Sequence, residues 1–68
     1  MNLVPVRSSN LRAVGYDPYS QVLRIVFHNG TYDYYGVPKS IYDGLMSASS
    51  LGQYHDRFIK NRYRFSRI

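Results

Sequence analysis

The sequence predicts an α+β domain: a three-stranded antiparallel β-meander followed by two helices packed on one face, with a short fourth strand at the C-terminus left open. Three observations predict it. Apolar and polar residues alternate with a period near two through the first half of the chain. An Asn29-Gly30 pair stands between two β-rich runs. After Gly36 the apolar spacing lengthens to three and four residues.

The first strand is read in Ser8 to Asp17, where Leu11, Ala13, Val14 and Tyr16 alternate imperfectly and Gly15 marks a bulge or bend. Asp17, Pro18, Tyr19 and Ser20 form a turn, because proline presets φ and an aspartate side chain bonds the backbone two residues on. Gln21 to Phe27 and Thr31 to Gly36 then form a hairpin about Asn29-Gly30. With those two as the loop, Phe27 faces Tyr32, Ile25 faces Tyr34 and Arg24 faces Tyr35. Leu23, Ile25, Phe27, Tyr32 and Tyr34 share the core face. Arg24, Val26, His28, Thr31, Asp33 and Tyr35 share the more polar one. A three-residue loop would exchange the roles of Tyr34 and Tyr35.

Pro38 suits the first turn of a helix, where a missing N–H costs nothing, and Ile41, Leu45 and Ala48 lay an apolar stripe along it. Gly44 weakens this helix by roughly 1 kcal/mol relative to alanine. A short polar loop leads into a second helical pattern. In it Tyr54, Phe58, Ile59 and Tyr63 face inward, and Asp56 precedes Lys60 by four residues on the outside. The closing Arg62 to Ile68 alternates charge with aromatics, as an edge strand or an ordered tail would.

Sixty-eight residues without cysteine leave one domain, residues 1–68, with one modest core and no disulfide to reinforce it. The missing cysteines and the short, proline-interrupted apolar run at Met1–Val6 point to the cytoplasm. No segment approaches the ~20 apolar residues that span a bilayer. The net charge of +5 is unevenly placed. Residues 56–68 hold Arg57, Lys60, Arg62, Arg64 and Arg67 against Asp56 alone. Such a cluster is the electrostatic footprint of a phosphate-rich partner, or a solvated face that keeps a small protein soluble.

Catalysis finds little to work with: two histidines, four aspartates, no glutamate and no cysteine. No serine sits in a G-x-S-x-G turn, and neither phosphate-loop motif occurs. His28 falls in the hairpin and His55 at the start of a helix, with no further ligand at metal-binding spacing, so neither metal nor cofactor is expected. Arginines interleaved with aromatics remain. Bases stack on aromatic rings and guanidinium groups hold phosphates. Tyr32 and Tyr34 are read as core residues with hydrogen-bonded tips. Tyr35 stands beside Arg24, in a cation–π contact or ready to stack a base. Arg57, Lys60 and Arg64 fall on one side, near Tyr63, if the second helix continues through them. Phe65 and Arg67 are read as edge packing.

These signatures in this order resemble the KTSC domain: Ser8 to Asp17, Phe27-x-x-Gly30, Tyr32-x-Tyr34-x-Gly36-Val37-Pro38, Ala48-x-Ser50-x-Gly52-x-Tyr54 and Ile59-x-Asn61-x-Tyr63. The resemblance runs from about Val6 to Ile68, and its hallmark is the central Tyr32-x-Tyr34. That family takes its name from the C-terminus of some lysyl-tRNA synthetases and also occurs as free-standing small bacterial or phage proteins. The synthetase context implies RNA binding, and no activity is implied. Two positions depart from the pattern. His55-Asp56 stands where the family has an aromatic followed by asparagine, and Arg64 stands where a proline often follows the last tyrosine.

The expected function is therefore a non-catalytic nucleic-acid-binding module, RNA ahead of DNA, with no small-molecule substrate. Arg57, Lys60, Arg62, Arg64 and Arg24 are assigned to phosphates, and Tyr35 and Tyr63 to stacking. The rival is a protein-interaction adaptor or homodimer in which a sheet edge or the tyrosine-rich face receives a partner. A third reading, a small-ligand or catalytic pocket between helices and sheet, is opposed by the scarcity of acid–base groups.

Overall fold

The computed structural model describes residues 1–68. Five strands form one antiparallel meander in sequence order: β1 (Val4–Pro5), β2 (Leu11–Asp17), β3 (Val22–Phe27), β4 (Gly30–Tyr34) and β5 (Phe65–Arg67). Helix α1 (Lys39–Ser47) and helix α2 (Leu51–Tyr54), which runs on into a π-helical turn at His55–Ile59, lie between β4 and β5 in the chain. The α+β class stands, but the strand count rises from the expected three plus one to five. The added strand is β1, whose two residues pair with Val14 and Ala13. So short a strand, ending in a proline, has no period for the sequence to display.

β2 departs from regularity between Leu11 and Ala13 and not at Gly15. The bulge brings Leu11 and Val14, three residues apart, to the same buried face. Gly15 stays in register opposite Arg24. A Cβ there would fall 2.9 Å from the side chains of Met1 and Leu3, so the glycine makes room for the N-terminal segment. The turn after β2 follows expectation: Asp17 Oδ1 accepts from the Tyr19 backbone N–H at 3.0 Å.

The hairpin register is corrected by two residues. Phe27 pairs with Gly30, Ile25 with Tyr32, Arg24 with Asp33 and Leu23 with Tyr34, which leaves His28-Asn29 as the loop. The residue that needs glycine is Gly30, at φ +155°, and Asn29 keeps an ordinary negative φ. A shift of two leaves every side chain on its expected face. Leu23, Ile25 and Tyr34 are buried, with Phe27 and Tyr32 packed against them.

The helices cover this face. Leu45 from α1 and Ile59 from the π-helical turn complete the core with Leu11, Val14, Leu23, Ile25, Tyr34 and Val37. Pro38 ends up one residue earlier than expected, as the extended residue that caps α1. Tyr16 fixes the helix to the sheet. Its hydroxyl donates to the Val37 carbonyl at 2.6 Å, and its ring stacks on Tyr42 with centroids 4.9 Å apart. Ser50 caps α2 by accepting from the Gln53 N–H.

The second helix is re-phased. His55 and Ile59 are the buried pair, whereas Phe58, assigned inward from the sequence, is 42% exposed and packs its ring on Tyr54. The wider turn, closed by the Lys60 N–H on the His55 carbonyl at 2.8 Å, ends the helix at Ile59. Asp56 and Lys60 therefore form no ion pair; the nearest partner of Asp56 is His55, at 3.7 Å. The chain turns back through Asn61, at φ +63°, and enters β5, so the C-terminal alternation is an edge strand.

Candidate nucleic-acid interface

The end of the helix at Ile59 scatters the basic residues that a continuous helix would have aligned. Lys60 faces a cleft beside Asn61 and Phe65. Arg62 and Arg64 flank Tyr63 around a second, shallower hollow on the same turn. Arg57 lies apart, lining a depression with Ala48, Ser50, Tyr54 and Phe58. The Arg62 Nε still reaches back to donate to the Arg57 carbonyl at 3.0 Å. None of Arg57, Lys60, Arg62, Arg64 or Arg67 pairs with a carboxylate; the ion pairs of this protein involve Arg24, Lys39 and His55.

Arg24 sits elsewhere. Opposite Asp33 and not Tyr35, it donates Nε to Oδ1 at 2.7 Å and Nη2 to Oδ2 at 2.9 Å, a two-pronged pair on the sheet face away from the helices. Tyr35 is half-buried just past β4, and its N–H donates to the Arg64 carbonyl at 2.9 Å. Tyr63 is half-buried and packed against the core. The residues assigned from sequence thus divide. Lys60, Arg62 and Arg64 gather at the turn into β5, and Arg57 and Arg24 do not join them.

What the sequence assignment missed is the cleft itself. Phe27, Tyr32, Tyr34, His55 and Phe65 form its aromatic walls, with Asn29, Lys60 and Asn61 completing it, and it measures about 370 Å³. That falls within the ~300–1,000 Å³ of ligand pockets. Pairing of β5 with β4 builds one wall, because Phe65 lies opposite Tyr34 and Arg67 opposite Tyr32. The Phe65 ring lies 5.8 Å from Tyr32 and 5.9 Å from Tyr34. Phe27 meets Tyr32 edge-on at 5.6 Å and His55 at 5.0 Å. Arg67 stands over the Tyr32 ring at 5.8 Å. The cleft contains no carboxylate.

Its floor is a buried polar pair. The Tyr34 hydroxyl and His55 Nε2 lie 2.8 Å apart, with the two residues 5% and 8% exposed. Burial lowers the His55 pKa below 6.5, opposed by nearby Asp56. Burial also pushes the Tyr34 phenol up to about 12. At neutral pH both groups are therefore uncharged. The positive charge lining the cleft is that of Lys60, beside an uncharged aromatic floor.

The KTSC domain family model matches residues 7–63. The chain belongs to the KTSC family. A crystal structure of a KTSC domain protein from Yersinia pestis superposes with a TM-score of 0.97 at 40% identity, covering 98% of this chain and 96% of the other. A protein of Tsukamurella paurometabola is 44% identical over 61 residues, 88% of this chain and 91% of its own length. A lysine–tRNA ligase from a Nostoc species is 33% identical over 67 residues, 97% of this chain but 12% of the ligase. In this KTSC domain the Tyr32-x-Tyr34 signature supplies two walls of the cleft, and Gly30 does more than turn the chain. A Cβ at Gly30 would fall 2.8 Å from Arg67 Nε, so this glycine leaves the space in which the Arg67 guanidinium reaches the Asn29 carbonyl. No helix of the domain is long and apolar enough to cross a membrane.

Proposed function

We propose that this KTSC domain is a cytoplasmic, non-catalytic nucleic-acid-binding module that prefers RNA to DNA. The observation that carries the proposal is the group Lys60, Arg62, Arg64 and Arg67, free of carboxylate partners and set around the exposed Phe65 ring. Cations whose charge no carboxylate neutralises are available to displace counterions from phosphate, and the adjoining rings offer surfaces on which bases stack. Relatedness to lysine–tRNA ligases, whose name makes tRNA their substrate, supports RNA over DNA.

The test is fluorescence anisotropy of labelled single-stranded RNA, hairpin RNA and single-stranded DNA over a range of salt concentrations. Contacts from about four cations to a single strand give a log–log salt slope of roughly −3. A folded variant with Lys60, Arg62 and Arg64 changed to alanine loses most of that slope. Absence of binding by the native domain at low salt overturns the proposal.

The alternative, a protein-interaction adaptor or homodimer, draws support from the other edge of the sheet, where Met1, Leu3 and Val4 are about half exposed beside β1. A mass that rises with concentration in sedimentation equilibrium, with no nucleic-acid binding, would favour it.

A further inference from the structure

We infer that the aromatic cleft is a seat for one unpaired nucleobase of a single-stranded RNA, an inference that rests on the RNA-binding reading and assigns it a specific site. The chemistry of the walls argues for a flat, uncharged ring. Phe27, Tyr32, Tyr34, His55 and Phe65 converge from β3, β4, the π-helical turn and β5. Phe65 is 55% exposed although it belongs to this cluster, so one wall presents an uncovered aromatic surface. A small protein gains nothing in stability from leaving such a ring in water, but a base gains a stacking platform.

Polar groups at the mouth suit the same occupant. Asn29 and Asn61 bring side-chain amides that both donate and accept, as base edges require. Asn61 is held there by its left-handed backbone, at φ +63°, in the turn that ends the helix. Lys60, the residue before it, lines the same cleft and supplies one positive charge where the phosphate of a seated nucleotide would emerge. The Asp56 carboxylate lines the adjoining hollow with Asn10, His28 and His55 and not this cleft. Cationic ligands lack a counter-charge here. An unpaired base with its phosphate matches both the rings and the lysine.

The proposal excludes recognition by phosphate contacts alone, and that difference is measurable. Three probes are titrated against the domain at fixed salt: a short oligoribonucleotide carrying a fluorescent purine analogue, the same ribose–phosphate chain with every base removed, and a blunt RNA duplex. The intact single strand should bind about tenfold more tightly than the base-free chain, with the analogue quenched on binding. Phe65→Ala should abolish that advantage and the quenching while leaving binding of the base-free chain unchanged. Phe65→Leu, which keeps an apolar side chain on β5, should lose them as well, which separates loss of the ring from loss of the strand. Equal binding of the intact and base-free chains, without quenching, overturns the base seat and leaves phosphate binding standing. Failure of all three probes to bind at low salt overturns the RNA reading along with it. Preference for the duplex overturns the base seat alone.

Discussion

The Tyr34 hydroxyl and the His55 imidazole meet at 2.8 Å beneath the aromatic cleft, joining the central tyrosine signature of the sheet to the one π-helical turn of the domain. Each satisfies a polar group that burial would otherwise leave without a partner. His55 and Ile59, four residues apart, share one face of the helix and are buried together under the sheet, while Phe58 stays 42% exposed. Tyr34→Phe removes one half of the pair and leaves the imidazole nitrogen without a partner. The expected loss is about 1–2 kcal/mol, read from urea denaturation.

The same pair sets the pH range over which the domain is most stable. Below pH 6.5 the unfolded chain takes up a proton at His55 that the folded chain resists. Stability is therefore complete above about 6.5, falls as pH drops toward the lowered native value, and levels off beneath it. At the alkaline end the unfolded Tyr34 loses its proton near 10 and the folded one only at about 12, so stability falls across that interval. Each slope reaches at most about 1.4 kcal/mol per pH unit. Denaturation midpoints measured against pH should show both flanks. His55→Gln should flatten the acid flank and keep the alkaline one.

Gly44 lies in the middle of α1, where alanine would ordinarily stabilise by roughly 1 kcal/mol. Here a Cβ would fall 2.7 Å from Tyr54 Cζ, and the Tyr54 ring is itself held against Phe58. Gly44→Ala is therefore expected to destabilise by about 1–3 kcal/mol despite its helix propensity. In a Tyr54→Ala background the same substitution should become stabilising. A double-mutant cycle on thermal or urea denaturation reads the change of sign.

These residues also mark where sequence patterns carry information. Leu23, Ile25, Phe27, Tyr32 and Tyr34 could be assigned to one face because strand periodicity survives a register error of two, and a hairpin misread by two residues still faces the right way. That face already held three of the cleft's five rings. His55 and Phe65 could not be added from the sequence. His55 lies four residues after Leu51 on the helix face that the Tyr54 and Phe58 phasing assigns outward, and Phe65 arrives by pairing of β5 with β4, a contact more than thirty residues distant along the chain. Gly44 reads as a weak helix residue until Tyr54 is seen lying on it. The basic residues were legible as a charge cluster, but their grouping depended on where the helix stops.

Arg24 and Asp33 form a two-pronged ion pair across neighbouring strands, with Asp33 nearly buried and the Arg24 side chain about a third exposed. Asp33→Asn keeps the shape but removes the charge that holds both guanidinium nitrogens. Partial solvent access to Arg24 moderates the cost, and about 1–2 kcal/mol is expected in urea denaturation. Replacing both members, with Arg24→Met and Asp33→Leu, should recover most of the loss, since neither strands a charge. A double variant no more stable than Asp33→Asn alone would show that the pair contributes beyond mutual neutralisation.

Arg67 closes the far edge of the sheet. It donates to the Asn29 carbonyl, stands over the Tyr32 ring at 5.8 Å, and precedes Ile68, whose N–H donates to the Thr31 carbonyl at 2.8 Å. Its guanidinium fills space that exists because residue 30 has no Cβ. Arg67→Met should loosen β5 while sparing the buried core, raising amide exchange at Ser66 and Ile68 with a loss of about 1–2 kcal/mol. Gly30→Ala should do the same through the opposite partner, by displacing the guanidinium, and adds strain because its φ of +155° is unfavourable for a residue with a Cβ. The two substitutions share one interaction, so together they should cost clearly less than the sum of each alone. Strict additivity, with unchanged exchange in β5, would mean that Arg67 does not hold this strand. Because β5 carries Phe65, loosening it should also weaken quenching of a purine analogue in a bound single strand, linking the stability of the edge strand to the aromatic wall it supplies.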